Sequence, residues 1–124
     1  MKNMPGLSAV ALVLGLASSG LTVQDPVKLE PSHYKVEFEN DQVRVLRITQ
    51  DPHEKGVMHS HSASVIVFLT DMHARFTYPD GKTEEVRARA GQTRWAGPVT
   101  HQVENLADTP SEVLHIEVRT GAAP

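Results

Sequence analysis

From residue 34 to residue 118 the chain is written in a period of two, and this rhythm constrains its fold more than any other feature. Tyr34-Lys-Val-Glu-Phe-Glu39 alternates apolar and polar residues, Asn40-Asp41 interrupts, and Val43-Arg-Val-Leu-Arg-Ile-Thr49 alternates again. Successive side chains of a strand point to opposite faces, so each run predicts a strand with one covered side. Further runs lie at 65–69, 74–78, 84–89, 93–96, 99–103 and 112–118. Between them come Asp51 to Gly56, Asp71-Met72, Ala90-Gly91 and Asn105 to Pro110. Pro79-Asp-Gly-Lys82 is a hairpin signal, because Gly81 supplies the positive φ of a tight turn. No segment of this region carries a useful amphipathic helical period. Roughly nine short strands, with turns every eight to twelve residues, predict an all-β sandwich or barrel.

A length of 124 residues suits one domain. Seven histidines and no cysteine remove disulfide frameworks, thiolate zinc sites and cysteine nucleophiles together. The formal charge of −3 leaves no basic footprint for nucleic acid. Neither a Gly-x-Ser-x-Gly elbow nor a Gly-rich phosphate loop occurs.

Ahead of the strands, Lys2 precedes an apolar run from Leu7 to Ala17 and the small residues Ser18-Ser19-Gly20. A positive charge, a short apolar run and a small-residue exit predict a secretory signal peptide over residues 1–19, cleaved near Ser19/Gly20. The run falls short of the ~20 residues a membrane span needs, so no stable span is expected after its removal. Export to the periplasm or the medium is the expectation. Residues 20–33 contain Pro26 and Pro31 and are expected to form an extended leader, not a helix. The barrel is assigned to 34–119 and a tail to 120–124.

Chemistry concentrates at His59-Ser60-His61, which enters the apolar strand 65–69. Two histidines one residue apart on a strand share a face. In a double-wound barrel His101 is placed to join them, giving three neutral imidazoles on one interior face. Such a set suits Fe²⁺, Zn²⁺, Mn²⁺, Ni²⁺ or Cu²⁺, with the remaining positions open to water, oxygen or substrate.

His59-x-His61, Gly91, His101-x3-Asn105 and the phrase Glu39-Asn-Asp-Gln-Val-Arg-Val-Leu-Arg47 together resemble a small single-domain member of the cupin superfamily, over residues 34–119. The resemblance implies a double-stranded β-helix (jelly-roll) barrel with a metal held inside by two His, a Glu and a third His. His59, His61 and His101 match the histidine ligands, Gly91 the second-motif glycine and Asn105 the closing Asn. The pattern departs elsewhere. The ligand Glu position falls at Val65, beside Ile66; His53 and Met72 replace first-motif glycines; the Pro-x-Gly turn reads Gly97-Pro98-Val99. A site without the carboxylate is expected to hold metal less tightly, and to attract an anionic or chelating small-molecule ligand more strongly. The resemblance implies a metal-dependent oxygenase or isomerase of a small metabolite, or else a non-catalytic module that binds metal or a small ligand. It also implies a homodimer paired through N-terminal strands, to which the leader contributes.

The remaining candidates read as follows. His53 is expected to be solvated, His73 to lie on a hairpin surface and His33 to be inert in the leader. With Leu114, Ile116 and Val118 taken as the core face, His115 should point away from the site with Glu117 and Arg119. Trp95 and Met58 either line the barrel mouth or pack at its rim. One member of each pair, Arg94/Trp95 and Arg75/Phe76, should point inward; an inward Arg would clamp a carboxylate. Glu84, Glu85, Arg87 and Arg89 read as a solvated strand face with cross-strand ion pairs.

Overall fold

The computed structural model describes residues 24–119. The expected signal peptide, the first residues of the leader and the tail lie outside the described residues. Nine strands run between Tyr34 and Val118: β1 (Tyr34–Glu39), β2 (Val43–Gln50), β3 (His59–His61), β4 (Ser64–Phe68), β5 (Met72–Thr77), β6 (Thr83–Ala88), β7 (Thr93–Ala96), β8 (Val99–Asn105) and β9 (Ser111–Val118). They form a five-stranded sheet, β1-β2-β9-β4-β7, and a four-stranded sheet, β3-β8-β5-β6. Every pairing is antiparallel. After β2 the chain passes back and forth between the sheets, and this winding makes the double-stranded β-helix. The turns at Gly81 and Gly91 have φ of +86° and +87°, a region where a Cβ is strained.

One element departs from the extended leader expected of residues 20–33. Pro26–Leu29 form a single helical turn, α1. Asp25 caps it, accepting from the Val27 N–H at 3.0 Å, and Pro26 opens it. Asp followed by Pro is an N-cap and a first-turn residue, a signal stronger here than the missing apolar period. The leader is fastened to its own barrel. Arg44 grips the Asp25 carboxylate with Nη1 and Nη2 at 3.1 and 3.3 Å. The Ser60 N–H donates to Gln24 O at 2.8 Å, the Val57 N–H donates to Glu30 at 3.0 Å, and His33 pairs with Glu54. His33 is thus a fastening between leader and loop rather than the inert residue expected. Pro26 is fully buried.

Phe68, Ala88 and Val113 form a buried core cluster, with Ile48, Ile66 and Met72 packed against it. Leu46 is completely buried, worth about 2 kcal/mol from removal of its side chain from water. Asn105, the closing Asn of the resemblance, is an internal clamp. Its Nδ2 donates to Asp51 O at 3.0 Å and Thr109 O at 2.9 Å, while Oδ1 accepts from the Ala107 N–H at 3.0 Å. Among the described residues no helix is long and apolar enough to cross a membrane.

β9 reverses the orientation expected of it. Ser111, Val113, His115 and Glu117 are buried, while Leu114, Ile116 and Val118 lie on the outer face. Period-two alternation defines two faces but does not say which is inside. The inner set is mixed because the barrel encloses a polar cluster, and the apolar set stays half-covered outside. Hydrophobic means inside only as a tendency.

Candidate metal centre

β3 and β8 pair antiparallel with His59 directly opposite His101. Alternation puts His61 on the same face as His59, and the cross-strand position brings His101 alongside. The ring centroids are 4.7 Å apart for His59–His61, 4.9 Å for His59–His101 and 5.6 Å for His61–His101. All three residues are buried, and one nitrogen from each lies within 4.8 Å of the others. The three histidines singled out in the sequence therefore converge on one spot.

Three further side chains complete the surroundings, and none was placed here by the sequence. His115 reaches across from β9, its ring 4.5 Å from that of His61, which corrects the outward orientation expected of it. Glu117 is corrected likewise: its Oε2 lies 3.5 Å from His61 Nδ1, while its Oε1 accepts from Arg44 Nε at 2.7 Å. The Tyr34 hydroxyl donates to His59 Nε2 at 3.2 Å. The cluster is thus not carboxylate-free. At the position of the missing Glu, Val65 faces outward beside Trp95 and Ile116, and Ile66 lines the cavity; the carboxylate arrives from β9 instead. The only sequence trace of this second set is the Ser-x-Val-x-His-x-Glu alternation of 111–117, which fits either face equally well.

Hydrogen bonding sets the orientation of His59. Its Nδ1–H donates to Val57 O at 2.9 Å, so the lone pair is on Nε2, where it accepts from the Tyr34 hydroxyl. Burial, then the neighbouring His61, lowers the His59 pKa to about 4. Burial, then His59 and His61, lowers that of His101 to about 3. Burial foremost also holds His115 well below the usual imidazole value. For Glu117 burial opposes ionisation, but His61 and Arg44 outweigh it and keep the carboxyl below its ordinary value. Burial and the nearby Glu30 and Glu117 push the Tyr34 phenol upward, so it remains a protonated donor.

These residues fit a divalent ion. Both ring nitrogens of His101 and Nδ1 of His115 are buried without a hydrogen-bond partner. Buried polar atoms in native proteins are almost always satisfied, by protein, water or an ion. Neutral imidazoles are also the protonation state a metal requires. A carboxylate beside a histidine nitrogen is the usual means of orienting a ligating ring.

The cluster opens into a cavity of about 380 Å³, within the range of small-molecule sites. Its wall is mostly apolar, with Ile66, Phe76, Val103 and Val113 among the lining residues. Phe76 points inward, its ring 4.6 Å from His101, and Arg75 points out to Glu104 at 3.2 Å. Arg94 is the inward member of its pair, its guanidinium 5.3 Å from the Phe68 ring centre, at the cavity mouth. Trp95 lies on the outer face, 64% exposed. His53 is exposed against Asp108 at 2.6 Å, and His73 lies 3.3 Å from Glu85; neither joins the cluster.

Solved structures share this architecture. A cupin domain from Bordetella pertussis superposes with a TM-score of 0.65 at 25% identity, covering 70% of this chain and 92% of that one. An RmlC-like cupin family protein with a double-stranded β-helix fold from Methanocaldococcus jannaschii gives 0.55 at 13% identity, covering 68% and 77%. An uncharacterized conserved protein with a double-stranded β-helix domain from Klebsiella pneumoniae gives 0.55 at 17%, covering 73% and 78%. No protein-family model matches the sequence, and no curated protein does. Residues 34–118 fold as a cupin-type domain, the double-stranded β-helix of these structures.

Proposed function

We propose that the protein is an exported cupin that holds a divalent metal ion between His59, His61 and His101 and admits a small ligand from the adjoining cavity. The observation that carries the reading is the convergence of buried imidazoles with unpartnered nitrogens at the floor of an apolar cavity. Fe²⁺, Zn²⁺, Mn²⁺, Ni²⁺ or Cu²⁺ bound there would supply Lewis acidity or, for the redox-active ions, oxygen activation. The chain's own residues do the rest. Val57 O keeps the His59 lone pair on Nε2, Glu117 biases the proton of His61 toward Nδ1, and the apolar wall excludes water. Arg94 offers a positive charge to an anionic ligand entering at the mouth. Export rests on the charge, apolar run and small-residue exit of residues 1–20.

On this reading the enzyme would be an oxygenase or isomerase of a small metabolite. A non-catalytic binding module is the second reading, and the state of the nearest acid and base groups favours it. Glu117 is tied to Arg44 and Tyr34 is held protonated, so neither is free to act as a general base. The test is elemental analysis of protein purified without chelator or histidine tag, alongside His59→Ala and His101→Ala. We expect one divalent ion per chain, lost in both variants. Protein that carries no metal and gains no thermal stability from any divalent ion would sink both readings. Oxygen uptake by the iron-loaded form on thiols and β-diketones then separates enzyme from binder.

A further inference from the structure

β3 carries two of the three clustered histidines, yet it is three residues long and lies at the edge of its sheet, paired with β8. An edge strand keeps a free row of N–H and C=O groups, and here the leader meets that row. The Ser60 N–H, between the two histidines, donates to Gln24 O at 2.8 Å, and nearby Pro26 is fully buried. Ring positions on so short a strand depend on what holds its second side.

Two further lines run from the leader to the rings. Glu30 accepts from the Val57 N–H at 3.0 Å, and Val57 O accepts from His59 Nδ1 at 2.9 Å. The Glu30 carboxylate sits so closely on this loop that a Cβ at Gly56 would lie 3.1 Å from its Oε1. The second line is ionic. Asp25 takes Nη1 and Nη2 of Arg44 at 3.1 and 3.3 Å, Glu117 Oε1 takes Nε at 2.7 Å, and Glu117 Oε2 lies 3.5 Å from His61 Nδ1.

We propose, resting on the metal reading above, that the leader is a strap that sets the affinity of the metal site, with Asp25 and Glu30 as positioning residues for His61 and His59. The geometry gives the direction. An arginine and a carboxylate favour a forked pairing through two parallel bonds. With Asp25 docked, both Nη groups of Arg44 are occupied and Nε serves Glu117. Glu117 therefore keeps Oε2 toward His61, as a carboxylate that orients a ligating ring does. With the leader undocked, Arg44 is free to take both Glu117 oxygens, His61 loses its partner, and Val57 loses its anchor at Glu30. Docking and metal binding thus favour each other. The coupling is reciprocal: whatever the strap adds to metal affinity, the metal adds to docking of the strap.

The experiment titrates Co²⁺ into the full chain, because its ligand-field absorption reports both occupancy and the arrangement of the rings. Wild type is compared with Glu30→Ala and with Asp25→Asn, which keeps a good helix cap but gives up the charge. Circular dichroism checks that the strands persist. We expect each variant to bind Co²⁺ about 10-fold more weakly, with an altered ligand-field spectrum. In wild type, trypsin cleavage after the exposed Lys28 of α1 measures undocking of the strap, and cleavage after the exposed Lys82 between β5 and β6 is the control. Saturating Co²⁺ should slow the first about 10-fold and leave the second unchanged. Variants that bind Co²⁺ as wild type does, with the same spectrum, overturn the proposal, since the leader would then only cover a sheet edge. So does Co²⁺ that protects neither cleavage site, or both alike, a result that needs no variant. Wild type that binds no Co²⁺ is a different failure: it sinks the metal reading, and the role of the strap with it.

Discussion

Acidifying the metal-free protein from pH 6.5 to pH 5 should unfold it steeply, with a slope that counts the buried neutral imidazoles. An unfolded histidine takes its proton near pH 6.5, whereas His59 and His101 do so only near pH 4 and pH 3, and burial holds His115 well below its usual value. The folded values are depressed, so the full stability is present above about pH 6.5 and is lost as the pH falls toward the folded values. At pH 5 the unfolded chain binds about three more protons at these residues, and each contributes ~1.4 kcal/mol per pH unit, so stability should fall by roughly 4 kcal/mol per unit. Integrated from pH 6.5 to pH 5, with the slope growing as the unfolded histidines take up protons, the loss is about 5 kcal/mol, comparable with the whole stability of a small domain. The assay is urea unfolding followed by circular dichroism at half-unit pH steps with a chelator present. His115→Leu should remove about one proton from the slope. Saturating Zn²⁺ should move the transition to lower pH, since the ion binds the neutral rings of the folded state alone. A wild-type slope corresponding to fewer than one proton would refute the reasoning, because the rings would then be protonated in the fold or open to water.

Two further perturbations probe the supports of the site. Glu117→Gln keeps the shape but removes the charge beside His61 and Arg44; zinc affinity by competition titration should fall about 10–100-fold, and an unchanged affinity would mean that Glu117 does not orient the ring. Asn105→Leu deletes the donor that serves Asp51 O and Thr109 O and the acceptor for the Ala107 N–H. Chemical denaturation should show a loss of about 3 kcal/mol, and a loss below ~1 kcal/mol would show that the loops hold themselves in place.

Much of the fold was legible because strands announce themselves locally. The alternation at 34–39 and 43–49, the Pro79–Lys82 turn and the turn at Gly91 all appear where expected. The one-turn helix at Pro26–Leu29 was missed because four residues are too few for a period. Only its Asp25-Pro26 cap betrays it.

The site was legible in part, and the division has a physical basis. His59-Ser60-His61 alone determines that two imidazoles share a face, because the strand period of two is a property of the backbone. That His101 stands opposite His59 depends on the pairing register of β3 and β8, a choice made between segments distant in sequence. Which face of β9 turns inward is also a tertiary decision. Local alternation separates His115 and Glu117 from Leu114 and Ile116, but only the closed barrel selects between them. By choosing the polar set, the fold gives His61 its carboxylate and leaves Ile116 and its neighbours on the outer face. The sequence by itself determined the strands and the paired histidines; the barrel's closure determined what surrounds them.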